Sequence, residues 1–208
     1  MSEISFFYFP GSAYTYLTVN RIEARAREAG VTVRWRPYNL RLFLRESGTV
    51  PFPSGSSKER YMWRDLERRA RRLNVPYTSP PPYPVDPDLK ALRVATLAAQ
   101  EGWAPEFMRA HYRAWFLDGK PPGVGTNTEY VLVGLGHDPQ SVLARAEAPE
   151  VTQRTDSEVA GARRLGLFGS PHFVVEDEVF WGDDRLEEAL AWAKNPTQEQ
   201  PLKSPVDK

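Results

Sequence analysis

Residues 3–38 read EISFFYFPGSAYTYLTVNRIEARAREAGVTVRWRPY, and this stretch decides the fold. Glu3–Phe9 is an aromatic run rich in β-formers and is stopped by Pro10-Gly11, which predicts a buried strand. Ser12 then stands where an N-cap belongs. It precedes a helix predicted over Tyr14–Ala29, with Tyr16, Val19, Ile22 and Ala26 on one face. Gly30 ends that helix, and Val31–Tyr38 alternates apolar and polar residues as a second strand. Pro37 marks the end of this strand or a sheet edge. Strand, helix and strand in this order make two parallel neighbours joined by a right-handed crossover.

The far end of the chain returns to strands. His172–Glu176 and Glu178–Trp181 flank Asp177 as a tight antiparallel hairpin. Asp183 and Asp184 then stand as caps for a last helix carrying Leu186, Ala189, Leu190 and Ala193 on one face. Helical patterns fill the middle, over Glu59–Asn74, Pro87–Glu101, Pro105–Asp118, Thr128–Leu135, Asp138–Arg145 and Glu150–Leu165. Arg41–Ser57 reads as loop after a short apolar piece, and the prolines of Val75–Asp88 make that stretch extended or turning. A β–α–β opening and a β–β–α close can complete one sheet around inserted helices. The expected fold is therefore α/β, a thioredoxin-like four-stranded sheet with an inserted all-α domain. Residues 1–40 and 166–194 make the first domain and 41–165 the insertion, while the polar 195–208 reads as a disordered tail.

The chain has 208 residues, with 27 Lys+Arg against 27 Asp+Glu, so its formal net charge is zero. A nucleic-acid binder needs a basic surplus, so no nucleic-acid partner is expected. No apolar run approaches the roughly 18 residues of a membrane span, and no basic leader opens the chain, so a cytoplasmic location is expected. There is no cysteine. Disulfides, thiolate nucleophiles of the chain itself, iron–sulfur clusters and Cys-ligated zinc are excluded by that absence. The 3 histidines are scattered without metal-ligand spacing, so no metal is expected.

Three places could carry chemistry. Ser12 sits beside the unpaired N–H groups of a helix start, where an anion such as a thiolate is stabilised; its plainer role is a cap. Ser170-Pro171 opens the third strand and is a candidate cis bond that would free the Ser170 backbone for a peptide-like ligand. A trans proline at a strand start is the commoner case. Trp181-Gly182-Asp183-Asp184 puts acids at a helix start, where they suit the macrodipole or hold a ligand's ammonium group. The Arg-rich helix over Lys58–Arg72 interleaves Glu59, Asp65 and Glu67 and reads as a solvated face. His111 reads as packing, and no G-x-S-x-G supports a hydrolase triad.

Four segments together resemble the 2-hydroxychromene-2-carboxylate isomerase family, which is close to kappa-class glutathione transferases and the DsbA-like branch. They are SFFYFPGSAYTYL (5–17), YMWRDLERRARRLNVPY (61–77), LGLFGSPHFVV (165–175) and EVFWGDDRLEEAL (178–190). The resemblance implies a glutathione-dependent isomerase, often a homodimer, acting on a small aromatic carboxylate from aromatic catabolism. In such enzymes a serine replaces the first redox cysteine and stabilises the glutathione thiolate; Ser12 matches it. Ser170, before Pro171, matches the residue whose backbone pairs with the cysteinyl part. Trp181, Gly182, Asp183 and Asp184 match the stretch holding the γ-glutamyl end. Arg45 and Lys58 fall near basic positions associated with the substrate carboxylate. The implied mechanism is reversible thiolate addition to a conjugated enone. Departures from the family pattern are Phe9 for its acid, Ala13 for the proline after the serine, His172 for its threonine, and Pro10-Gly11 before the serine. A kappa-like glutathione transferase and a non-catalytic thioredoxin-fold binding protein are the alternatives. Thiol–disulfide exchange by the chain is excluded, because it has no thiol.

Overall fold

A computed structural model describes residues 2–83 and 85–195. The opening unit is β1 (Ser2–Tyr8), α1 (Ala13–Val19), α2 (Ile22–Ala29) and β2 (Val31–Pro37). The middle holds α3 (Leu40–Glu46), α4 (Ser57–Arg72), α5 (Lys90–Glu101), α6 (Ala104–Phe116), α7 (Asn127–Gly134), α8 (Pro139–Ala146) and α9 (Pro149–Arg164). The chain then closes with β3 (His172–Val175), β4 (Glu178–Trp181), a 3-10 turn (Asp183–Arg185) and α10 (Leu186–Lys194). The expected polar tail beyond residue 195 lies outside the described residues.

The four strands form one mixed sheet in the order β2-β1-β3-β4, the thioredoxin-like arrangement anticipated from the two ends of the chain. β1 runs parallel to β2 from Ser2 opposite Val31 to Tyr8 opposite Pro37. Pro37 therefore lies both at a strand end and on a sheet edge, where its missing N–H costs no ladder bond. β3 runs antiparallel to β1, with His172 opposite Phe7, and β4 antiparallel to β3, with Trp181 opposite His172.

Alternation along the strands sends side chains to two faces. Ile4, Phe6, Tyr8, Trp35 and Phe173 join one buried cluster with Leu17 of α1, Ile22 of α2, Leu190 of α10 and Phe107 and Trp115 of α6. Phe7, Tyr38 and Val174 lie in a second cluster, with Leu40 of α3, Leu92 of α5 and Val159 of α9. Both faces are thus apolar and covered, which keeps the sheet ends fixed where the site is built.

Three sequence expectations change. The single helix over 14–29 is two helices, because Asn20 Nδ2 and Arg21 Nε turn back onto the carbonyls of Tyr16 and Leu17 and close α1 early. Arg41–Ser57 is not loop throughout, since LRLFLRE forms α3 and packs onto the second cluster. α5 starts at Lys90, three residues after Pro87, because the buried Asp86 carboxylate takes the N–H groups of Ala91 and Leu92.

Candidate functional site

Ser12 precedes α1 with an extended backbone (φ −91°, ψ 122°), yet its side chain makes no capping bond to that helix. Its Oγ instead donates to the Ser170 carbonyl, 2.8 Å away and 158 residues on. The plain capping role is therefore not the one this hydroxyl plays. The Ser170–Pro171 peptide bond is cis. Ser170 Oγ accepts from the Phe9 N–H at 2.9 Å and bonds Thr15 Oγ1 at 2.8 Å. The Ser170 N–H has no protein partner among the described residues. The start of α1 and the entrance to β3 are thus knitted together, with one backbone donor left over.

The turn that presents Ser12 is held from beneath by residues the sequence reading assigned to packing or did not single out. Tyr112 donates its hydroxyl to the Ser12 carbonyl at 2.9 Å, and His111 Nε2 lies 3.3 Å from the Pro10 carbonyl. Burial pushes His111 down to about 4, so the ring is neutral near pH 7 and donates from Nε2. From the proline-rich segment, the Tyr83 hydroxyl reaches the Gly11 carbonyl at 3.4 Å. The only signals for this support were a histidine and a tyrosine inside an apolar helix, and a lone aromatic ring among prolines.

His172, the family's threonine position, is also buried and pushed down to about 4, chiefly by desolvation. Its Nδ1 faces the Gly169 carbonyl at 2.8 Å, a carbonyl that also accepts the Tyr38 hydroxyl. The proton therefore sits on Nδ1, and Nε2 is left as an acceptor without a partner among the described residues. Over this ring lie Phe168 and Trp181, each 55% exposed, with their ring centroids 4.7 Å apart.

The stretch after Trp181 divides its work. Gly182 has φ 111°, a region that favours glycine, and its N–H donates to the Pro171 carbonyl at 3.0 Å. Asp183 does not cap the following helix with its side chain. The carboxylate is buried, with Arg21 and Arg69 each at 2.6 Å on separate oxygens and the Thr18 hydroxyl at 3.2 Å. Both oxygens are thus spent inside the protein, and Asp183 serves the site by tying α4 to the junction of α1 and α2. Asp184 is the carboxylate that faces outward. It lines a groove of about 400 Å³ with Asp65, Arg68, Arg69 and Arg72. Tyr14, two residues past Ser12, borders this groove through a 3.0 Å bond from its hydroxyl to Asp65.

Arg45 and Lys58 are both exposed, on the last turn of α3 and the first turn of α4. Lys58 Nζ sits 5.5 Å from the centroid of Phe52. No hydrogen bond or ion pair links either to Ser12, Ser170 or Trp181 among the described residues. Arg41, by contrast, binds the Val85 and Asp86 carbonyls and lies over the Phe9 ring. Among the described residues no cluster of three or more His, Asp or Glu could hold a metal, and no helix is long and apolar enough to cross a membrane.

A four-stranded mixed sheet, a first helix whose preceding serine pairs across to the loop before β3, and helices inserted between β2 and β3 define a thioredoxin-fold protein. Residues 3–191 match the DSBA-like thioredoxin domain, and the chain belongs to that family. It is 29% identical over 194 residues to 2-hydroxychromene-2-carboxylate isomerase from Sphingobium xenophagum, covering 88% of this chain and 94% of that protein. The enzyme of the same name from Pseudomonas putida is 25% identical over 184 residues, covering 86% of this chain and 89% of that one. A solved structure of a 2-hydroxychromene-2-carboxylate isomerase superposes with a TM-score of 0.75 at 23% identity, over 91% of this chain and 93% of that one.

Proposed function

We propose that the protein is a glutathione-dependent isomerase of the 2-hydroxychromene-2-carboxylate type, acting on a conjugated aromatic carboxylate. The observation that carries this reading is the Ser12 hydroxyl, held 2.8 Å from the Ser170 carbonyl in a chain with no cysteine. The residues present fit a γ-glutamyl tripeptide thiol. The free Ser170 N–H suits the cysteinyl carbonyl. Asp184 and the arginines of the adjoining groove suit an ammonium and a carboxylate on one amino-acid end. Bound there, glutathione would supply a thiolate capable of reversible addition to a conjugated enone. Ser12 turns its proton from the Ser170 carbonyl toward the sulfur and favours the anion. Tyr112 and His111 hold the turn that aims this hydroxyl. Arg45 and Lys58, which have no ion-pair partner among the described residues, hold the substrate carboxylate.

Calorimetric titration of glutathione at neutral pH tests the reading. Saturable binding is expected, weakened in Ser12→Ala and Asp184→Ala. Ser12→Ala is expected to raise the pKa of the bound thiol by about one unit, the scale of a lost charge-assisted hydrogen bond. An unchanged thiolate absorbance titration would remove Ser12 from this role. No binding at millimolar glutathione would overturn the cofactor. Free glutathione recovered after turnover marks an isomerase, whereas a retained conjugate marks a transferase.

A further inference from the structure

The outer face of α6 borders a second groove. Glu106, Arg109, Ala110 and Arg113 fall at i, i+3, i+4 and i+7, so their side chains leave the helix on one side. The groove beside them has a volume of about 370 Å³ and is floored by Tyr16 of α1, Pro76 after α4, Leu117 after α6 and Leu135 after α7. It shares no lining residue with the groove at Asp184. The Tyr16 hydroxyl is already committed to the Pro76 carbonyl, and Leu117 and Leu135 are only half-buried, so the floor presents ring and alkyl surface. The charges around it are unevenly matched. Arg109 is paired with Glu106 at 3.2 Å. Arg113 has no ion pair or side-chain hydrogen bond among the described residues. Its guanidinium nonetheless stays close to the floor: burial pushes the Tyr16 hydroxyl up to about 12, and the positive charge of Arg113 acts against that rise. A cation in the last turn suits the end of α6, which accounts for the charge but not for the apolar recess beside it.

We propose that this groove is a binding site for a small organic carboxylate with an apolar body. The carboxylate pairs with Arg113, and the body lies across Tyr16, Leu117 and Leu135. The volume falls within the roughly 300–1,000 Å³ of sites that take small organic ligands. Glu106 works against the anion, both by its own charge and by holding Arg109 to itself. Ser12 and Ser170 play no part in this site, so it stands whether or not the protein uses glutathione.

The test is an NMR titration of hexanoate at neutral pH into the isotope-labelled full-length protein, with 1-hexanol and acetate as controls that each lack one half of the ligand. Hexanoate is expected to shift the amide signals of Arg113, Leu117 and Leu135 saturably and to leave those of Ser12 and Ser170 in place. Hexanol and acetate should each bind about fivefold more weakly or worse. Arg113→Gln should weaken hexanoate about fivefold, the scale of one exposed ion pair, and leave hexanol unchanged. Glu106→Gln should strengthen hexanoate about twofold, because it removes a like charge and releases Arg109. Glu106 and Arg113 are both exposed, so neither change disturbs the core. The site would be overturned by the absence of a saturable shift on this face, by hexanol binding as tightly as hexanoate, or by an Arg113→Gln variant that binds hexanoate unchanged. Shifts confined to the Ser12 end would overturn it too, since the carboxylate would then be entering the other site.

Discussion

Tyr8 ends β1 with its ring stacked 4.9 Å from Phe6 and its hydroxyl buried, without a hydrogen-bond partner among the described residues. A buried hydroxyl that gives up water and gains nothing is a net cost, whereas the ring earns its place by area. Tyr8→Phe is therefore expected to stabilise the protein by about 1 kcal/mol. A lower urea midpoint in the variant would show that the hydroxyl has a partner after all. Ser170 is the opposite case, because its hydroxyl meets both the Phe9 N–H and Thr15. A serine in that place is set by two neighbours far along the chain, which no local pattern announces.

At the scale of elements, the Asp183 knot joins the 3-10 turn after β4 to Arg21 at the start of α2 and to Arg69 in α4. Removing one member of such a group leaves the others without their counter-charge. Asp183→Asn is expected to cost about 3 kcal/mol, measured by urea denaturation. A loss below about 1 kcal/mol would mean that the arginines find solvent as readily as an exposed pair does. The same knot explains what could be read from the sequence. Alternation in Val31–Tyr38 and the 3.6-residue stripe of α4 are local signals, and the strands and most helices follow from them. At the break the side chains of Asn20 and Arg21 turn back onto near carbonyls, but the carboxylate that also holds Arg21 lies 162 residues away and no local pattern announces it. Ser12, Ser170 and Asp184 were legible as candidates from their residue types beside turns. Their supports, Tyr83, His111 and Tyr112, were not, since they reach the site from the segment inserted between β2 and β3.

For the whole molecule, the two buried histidines set the response to acid. His111 and His172 are both held at about 4, below the ordinary value of 6.5. The unfolded chain takes up these protons first, so their contribution to stability is intact above about pH 6.5 and is lost as pH falls toward 4. Each histidine adds a slope of up to about 1.4 kcal/mol per pH unit within that window. Asp86, raised by burial, works in the opposite direction nearer its own range, so the effect is clearest above about pH 5.5. Urea midpoints between pH 7 and 5.5 should fall in the unaltered protein and fall less in His172→Gln. Parallel curves for the two would mean that His172 titrates normally. The strand order β2-β1-β3-β4 has a consequence during biosynthesis. β1 is made before its partner β3, with α1 to α9 between them, so one edge of a strongly aromatic strand waits open while those helices are translated. A nascent chain stalled before residue 170 correspondingly carries an unpaired edge and a serine whose partner has not yet been made.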